Sequence, residues 1–166
     1  MKKDFYIRSR DPKEGFIWKK QSGEVLQNEF GLRLCVYHSN EPCDEGKEKP
    51  TWWFVIEEST GLSMVRGRTK KDAVSNAMSL PAQTIGNVKS AILQHVQKNG
   101  YPPDYIPIPG YDIMDGFENP VFYHHAETIE DARRWCEEHI DTYPIMVIYQ
   151  QTEDGQLLFV DVYRRE

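Results

Sequence analysis

The chain has 166 residues, of which 39% are hydrophobic and 28% charged, with nine Tyr, seven Phe and four Trp. That is enough to bury a core, as one domain or as two very small modules sharing a core, and it excludes a disordered chain. Twenty basic against 26 acidic side chains leave a net charge of −6, which argues against a general phosphate-binding surface and leaves room only for a local basic patch.

Residues 5–7 (Phe-Tyr-Ile) and 16–18 (Phe-Ile-Trp) are short apolar clusters on either side of Asp11-Pro12-Lys13-Glu14-Gly15, a spacing that predicts short strands joined by a turn. Leu32 to Tyr37 alternates as a strand with Leu32, Leu34 and Val36 on one face. Ser39 to Pro50, dense in Asn, Pro, Gly and charge, is expected to be a surface loop. Trp52 to Glu57 and Leu62 to Arg66, separated by Ser59-Thr60-Gly61, form the clearest hairpin, with Trp52 and Trp53 pointing to opposite faces.

Thr69 then stands as an N-cap three residues before Asp72, and Ala73, Val74, Ala77 and Met78 predict a helix over 70–79. Leu80-Pro81 stops it, and Ile85, Val88, Ile92 and Val96 predict a second helix over 84–98, closed by Asn99-Gly100. Five prolines lie between Tyr101 and Pro120, a composition expected to form a packed, extended connector and to resist pairing in a sheet centre. Beyond it, Val121 to His124 reads as a strand, and Thr128 caps a helix with Ile129, Ala132, Cys136 and Ile140 inward. Ile145 to Gln150 and Leu157 to Tyr163 form a hairpin across Asp154-Gly155.

The expected fold is therefore α+β, a mainly antiparallel sheet built from hairpins with about three helices packed on one face. Its divisions would be 1–100, a connector 101–120, and 121–166, with one single domain as the alternative. Thr69-Lys70-Lys71-Asp72-Ala73 is echoed by Thr128-Ile129-Glu130-Asp131-Ala132, either because capped helix starts recur or because the chain holds two small β–α modules.

No run approaches the roughly 20 apolar residues of a membrane-crossing helix, and no signal-peptide core follows Met1-Lys2-Lys3-Asp4. Cys35, Cys43 and Cys136 are odd in number and widely spaced, as reduced thiols are. The chain reads as a cytoplasmic protein without a membrane partner. No catalytic frame surrounds any Ser, Cys or Thr, and no phosphate loop is present, so no catalytic residue and no cofactor is expected. Cys136 and His139 lie three apart on one predicted helix but lack the further ligands that zinc requires, so no metal is expected. His124 and His125, adjacent in a strand, point to opposite faces.

The most distinctive local chemistry is Arg66-Gly67-Arg68-Thr69-Lys70-Lys71, four cations in six residues at a helix start, where the helix dipole and free amides favour an anion. Trp52 is a candidate interface anchor, and the aromatic connector adds Tyr105 and Tyr111. Trp52, Arg66, Arg68, Lys70, Tyr105 and Tyr111 are thus the expected partner-binding residues, the partner being another protein rather than nucleic acid. An unpaired edge strand would also permit a homodimer. The competing reading is a small-ligand or nucleotide binder, or a hydrolase, using the basic turn with His124 or His125 as base.

Residues 52–78, with Phe54-Val55-Ile56-Glu57, Gly61-Leu62, Gly67-Arg68-Thr69, Asp72-Ala73 and Asn76-Ala77, resemble the strand–strand–helix stretch of HicB-type antitoxins and of small phage and mobile-element accessory domains. That family binds a toxin protein and operator DNA. The resemblance implies a binding role. Exposed aromatics and long loops without a catalytic set make the expected function that of a non-enzymatic binding protein of bacterial or phage type, masking or inhibiting another macromolecule such as a host defence or toxin component. No ribbon-helix-helix or helix-turn-helix segment follows in this chain to carry the DNA half.

Overall fold

The computed structural model of the chain describes residues 1–39 and 51–166, so the expected loop, Ser39 aside, and Cys43 lie outside the described residues. Among these residues the chain forms nine strands and three helices in two antiparallel sheets, an α+β fold. The chain divides into two compact units, one of residues 1–28, 32–80 and 101–106, the other of 29–31, 81–100 and 107–166. This division cuts across the expected one at 100 and 120, because the Pro-rich stretch is shared between the units.

In the first unit β1 (Lys2–Asp11), β2 (Gly15–Leu26), β3 (Leu34–His38), β4 (Trp53–Glu57) and β5 (Leu62–Gly67) follow one another as a five-stranded meander. The first hairpin is much longer than the two short apolar clusters predicted, pairing Lys2 with Glu24 through to Asp11 with Gly15. Strand alternation sends Phe5, Cys35 and Ile56 into one cluster with Tyr37 and Phe54 against it. Burial against the Glu58 charge pushes the Cys35 thiol up to about 12, so it stays an inert core thiol. Helix α1 (Lys70–Met78) buries Ala73 and Ala77, and Thr69 caps it by accepting from the Asp72 amide at 3.1 Å.

The turn between β4 and β5 is organised by Glu57, a carboxylate only 3% exposed. It accepts from the Ser59 amide at 3.0 Å and hydroxyl at 2.6 Å, and from the Thr60 amide at 3.1 Å and hydroxyl at 3.0 Å. Desolvation raises its pKa against those four donors. Glu57→Ala leaves buried donors without acceptors and is expected to cost about 2–3 kcal/mol. Urea denaturation checks this, and a loss no larger than that of an exposed control such as Glu14→Ala would contradict it.

In the second unit the sheet order is β7-β6-β8-β9, from β6 (Tyr111–Met114), β7 (Phe122–Ala126), β8 (Ile145–Gln151) and β9 (Leu157–Arg164). The expectation that 101–120 contributes no central strand is wrong. β6 lies inside the sheet, paired with β7 and β8. Its four residues fall in the proline-free interval between Pro109 and Pro120, so every ladder amide is present. Helix α3 (Ile129–Glu138) repeats the α1 cap, Thr128 accepting from the Asp131 amide at 3.2 Å, and buries Ala132 and Cys136 against Ile113, Met146 and Ile148. The T-x-x-D-A echo is thus the same capped helix, once in each unit. Helix α2 (Ala82–Asn99) buries Ile85, Gly86, Lys89, Ile92 and Val96. A Cβ on Gly86 would fall on the Pro120 carbonyl, which is why the smallest residue occupies that point of the helix.

Candidate functional site

Arg66 lies on β5 opposite Phe54, and Trp53 is opposite Gly67, so Trp52, just before β4, and Arg68, just after β5, come together beside Arg66. The Arg66 guanidinium carbon lies 4.4 Å and that of Arg68 4.1 Å from the centre of the Trp52 indole. Both arginines are exposed and the indole is half-buried. The Arg66 carbonyl accepts from Asn76 Nδ2 at 3.0 Å, tying the strand to α1. Two cations over one ring repel each other, and each gains only about 0.5–1 kcal/mol from the ring at an exposed site. Among the described residues no carboxylate pairs with either guanidinium. The result is a preformed, doubly positive clamp on a rigid aromatic base, suited to a carboxylate.

The other expected contact residues are placed differently. Lys70 forms an ion pair with Glu24, so its charge is already engaged. Tyr105 stacks on Tyr101 with ring centres 4.9 Å apart, elsewhere in the same unit. Tyr111 begins β6 in the second unit and packs on that unit's own core, so it does not join the clamp. The helix start that the basic turn was expected to offer an anion has one of its amides taken by Thr69, while both guanidinium groups are stacked on the indole.

His124 and His125 do point to opposite faces. His124 stacks on Trp135 at 4.9 Å, His139 on that indole at 3.9 Å, and Tyr143 on Tyr123 at 4.1 Å, a half-buried aromatic column. Burial, with the neighbouring His125 and His139 charges, lowers the His124 pKa, which favours its neutral form. On the same helix the Cys136 thiol is buried and pushed up to about 11, and His139 Nδ1 lies 2.7 Å from the Trp135 carbonyl. The pair is thus built into the core and the column.

His125 faces a buried arrangement that the sequence did not announce. Asp112 Oδ1 accepts from Lys89 Nζ at 2.6 Å and from His125 Nδ1 at 2.8 Å, with all three side chains at most 14% exposed. The carboxylate can only accept, so Nδ1 carries the proton. Lys89 also lies 4.7 Å from the centre of the Phe122 ring. A Cβ on Gly31 or Gly110, both at positive φ, would strike the imidazole, so the ring is clamped by bare backbone. The only available signal was a lysine on the apolar stripe of α2, three residues before Ile92. The basic turn stands in the first unit and both histidines in the second.

No protein-family model matches the chain, and neither does any curated protein or solved structure. No helix among the described residues is long and apolar enough to cross a membrane.

Proposed function

We propose that the chain is a non-enzymatic binding protein that masks an acidic surface of another protein, with Trp52, Arg66 and Arg68 as the anchor. The observation that carries this reading is the pair of guanidinium groups, without a carboxylate partner among the described residues, held on one indole at 4.4 and 4.1 Å. Trp and Arg are the side chains that dominate interface energies, and here they are preorganised, so little rotamer entropy remains to be lost on docking. The clamp is a local positive spot on a chain of net charge −6. It orients an acidic partner through the patch alone, whereas a nucleic acid would meet repulsion from the remaining surface.

The test is affinity capture of the tagged protein from a bacterial lysate beside the Arg66→Ala/Arg68→Ala double variant. A stoichiometric protein partner is expected with the parent chain, bound at least tenfold more weakly by the variant. A co-purifying small molecule without a protein, or a partner retained equally by the variant, overturns the reading.

A further inference from the structure

We propose that the first unit holds a binding site for a small monocarboxylate with a flat apolar body, in the cavity beside β1 and residues 102–106. The cavity measures about 270 Å³ and is lined by Lys3, Phe5, Arg33, Glu58, Tyr105 and Ile106 among others. It is separate from the Trp52 clamp, none of whose residues line it.

The charges of its wall do not balance locally at one group. Lys3 pairs with Glu58 at 2.6 Å and Lys20 with Asp4 at 3.5 Å. Arg33 has no such partner among the described residues, and its Nε is shut off from solvent without any hydrogen-bond acceptor. Arg33 itself lines the cavity, so a bidentate carboxylate arriving there meets a guanidinium that has no competing carboxylate among the described residues. The remaining acid of the wall, Asp104, is exposed on a turn where it holds φ at +60°. Asp is among the few side chains that adopt this left-handed conformation readily in a turn, so it shapes the rim of the cavity.

The lining selects the ligand. Three carboxylates in the wall disfavour a dianion such as phosphate, so a single negative charge fits best. Phe5, Pro102, Pro103 and Ile106 offer apolar surface for the rest of the molecule. Tyr105, held by its stack on Tyr101, supplies a flat wall and a phenol that burial keeps protonated as a donor. The same carboxylate chemistry is found in a free aromatic acid and at the C-terminus of a peptide ending in an aromatic residue.

The experiment is titration of the full chain with benzoate, followed by amide chemical shifts. Saturable shifts are expected at Arg33, Tyr105 and Ile106, with neutral benzamide at least tenfold weaker. Arg33→Lys, which keeps the charge and loses the fork, is expected to weaken benzoate by about tenfold. N-acetylphenylalanine serves as the peptide arm: tighter binding than benzoate assigns the site to a chain terminus, and weaker binding assigns it to a free acid. Absence of saturable shifts up to about 10 mM, well beyond the concentration at which a paired guanidinium gives measurable affinity, overturns the proposal. So does equal binding of benzamide, or of benzoate by the Arg33→Lys chain.

Discussion

Asp112→Ala is expected to destabilise the second unit by about 3–5 kcal/mol, the cost of stranding a buried charge whose partner is gone. Lys89 is 6% exposed and its ammonium rests on the Asp112 carboxylate at 2.6 Å. Without that oxygen it has only the Phe122 ring beside it, a fraction of the solvation it gave up. His125 Nδ1 loses its acceptor at the same time. Urea denaturation with amide exchange in β6 measures the loss, and the double variant Asp112→Ala/Lys89→Met is expected to recover much of it, because no charge then remains buried.

The pH dependence of the same group follows from its surroundings. Desolvation raises the Asp112 pKa, but the Lys89 charge and the His125 hydrogen bond outweigh it and hold the carboxyl below its ordinary value. A carboxylate with a depressed folded pKa adds stability above its unfolded value, near 3.9, and loses it as pH falls toward the folded value. The stability gap between the parent chain and Asp112→Asn should therefore narrow below about pH 4. A gap of constant size down to about pH 2 would show that the ionised form is not what the fold stabilises.

Ile113→Ala is expected to cost about 3–4 kcal/mol, from lost transfer energy and from a cavity that the sheet centre cannot close. Ile113 is fully buried on β6 against Ala126, Ala132, Cys136, Met146 and Ile148. Its neighbours across the strands, His124 on β7 and Ile148 on β8, are fixed by ladder hydrogen bonds. Ile113→Val, which removes one methylene, should cost about 1 kcal/mol. Equal midpoints for the two variants in urea would mean that the surrounding side chains collapse into the gap.

These two residues are adjacent in the chain and serve opposite faces of one sheet, and only one of them could be read in advance. An isoleucine in an aromatic, proline-rich stretch announces burial but not its place, and the strand carrying it is only four residues long. Three of those residues are buried, but the stretch from 101 to 120 that holds them carries five prolines, so composition outweighed pattern. Where the signal was local, sequence and structure agree. Thr69 and Thr128 cap because a hydroxyl three residues ahead of an amide meets it in any helix start. The β4–β5 and β8–β9 hairpins follow from two strand-forming runs separated by a short turn.

The candidate site divides along the same line. Arg66, Arg68 and Trp52 were all visible as chemistry, a basic turn and an exposed aromatic. That they form one clamp depends on the register of β4 against β5, which brings together residues 14 and 16 positions apart. The Arg33 cavity, the Lys89–Asp112–His125 cluster and the edge strand β9, with Phe159 62% exposed, needed the tertiary structure. By itself the sequence determined the helices and their caps, the hairpin turns and the α+β class, because those depend on spacings of a few residues, but not β6. Only the packed chain decided how the Pro-rich stretch is shared between two units and which charges meet a partner, because those depend on contacts between residues far apart in the sequence.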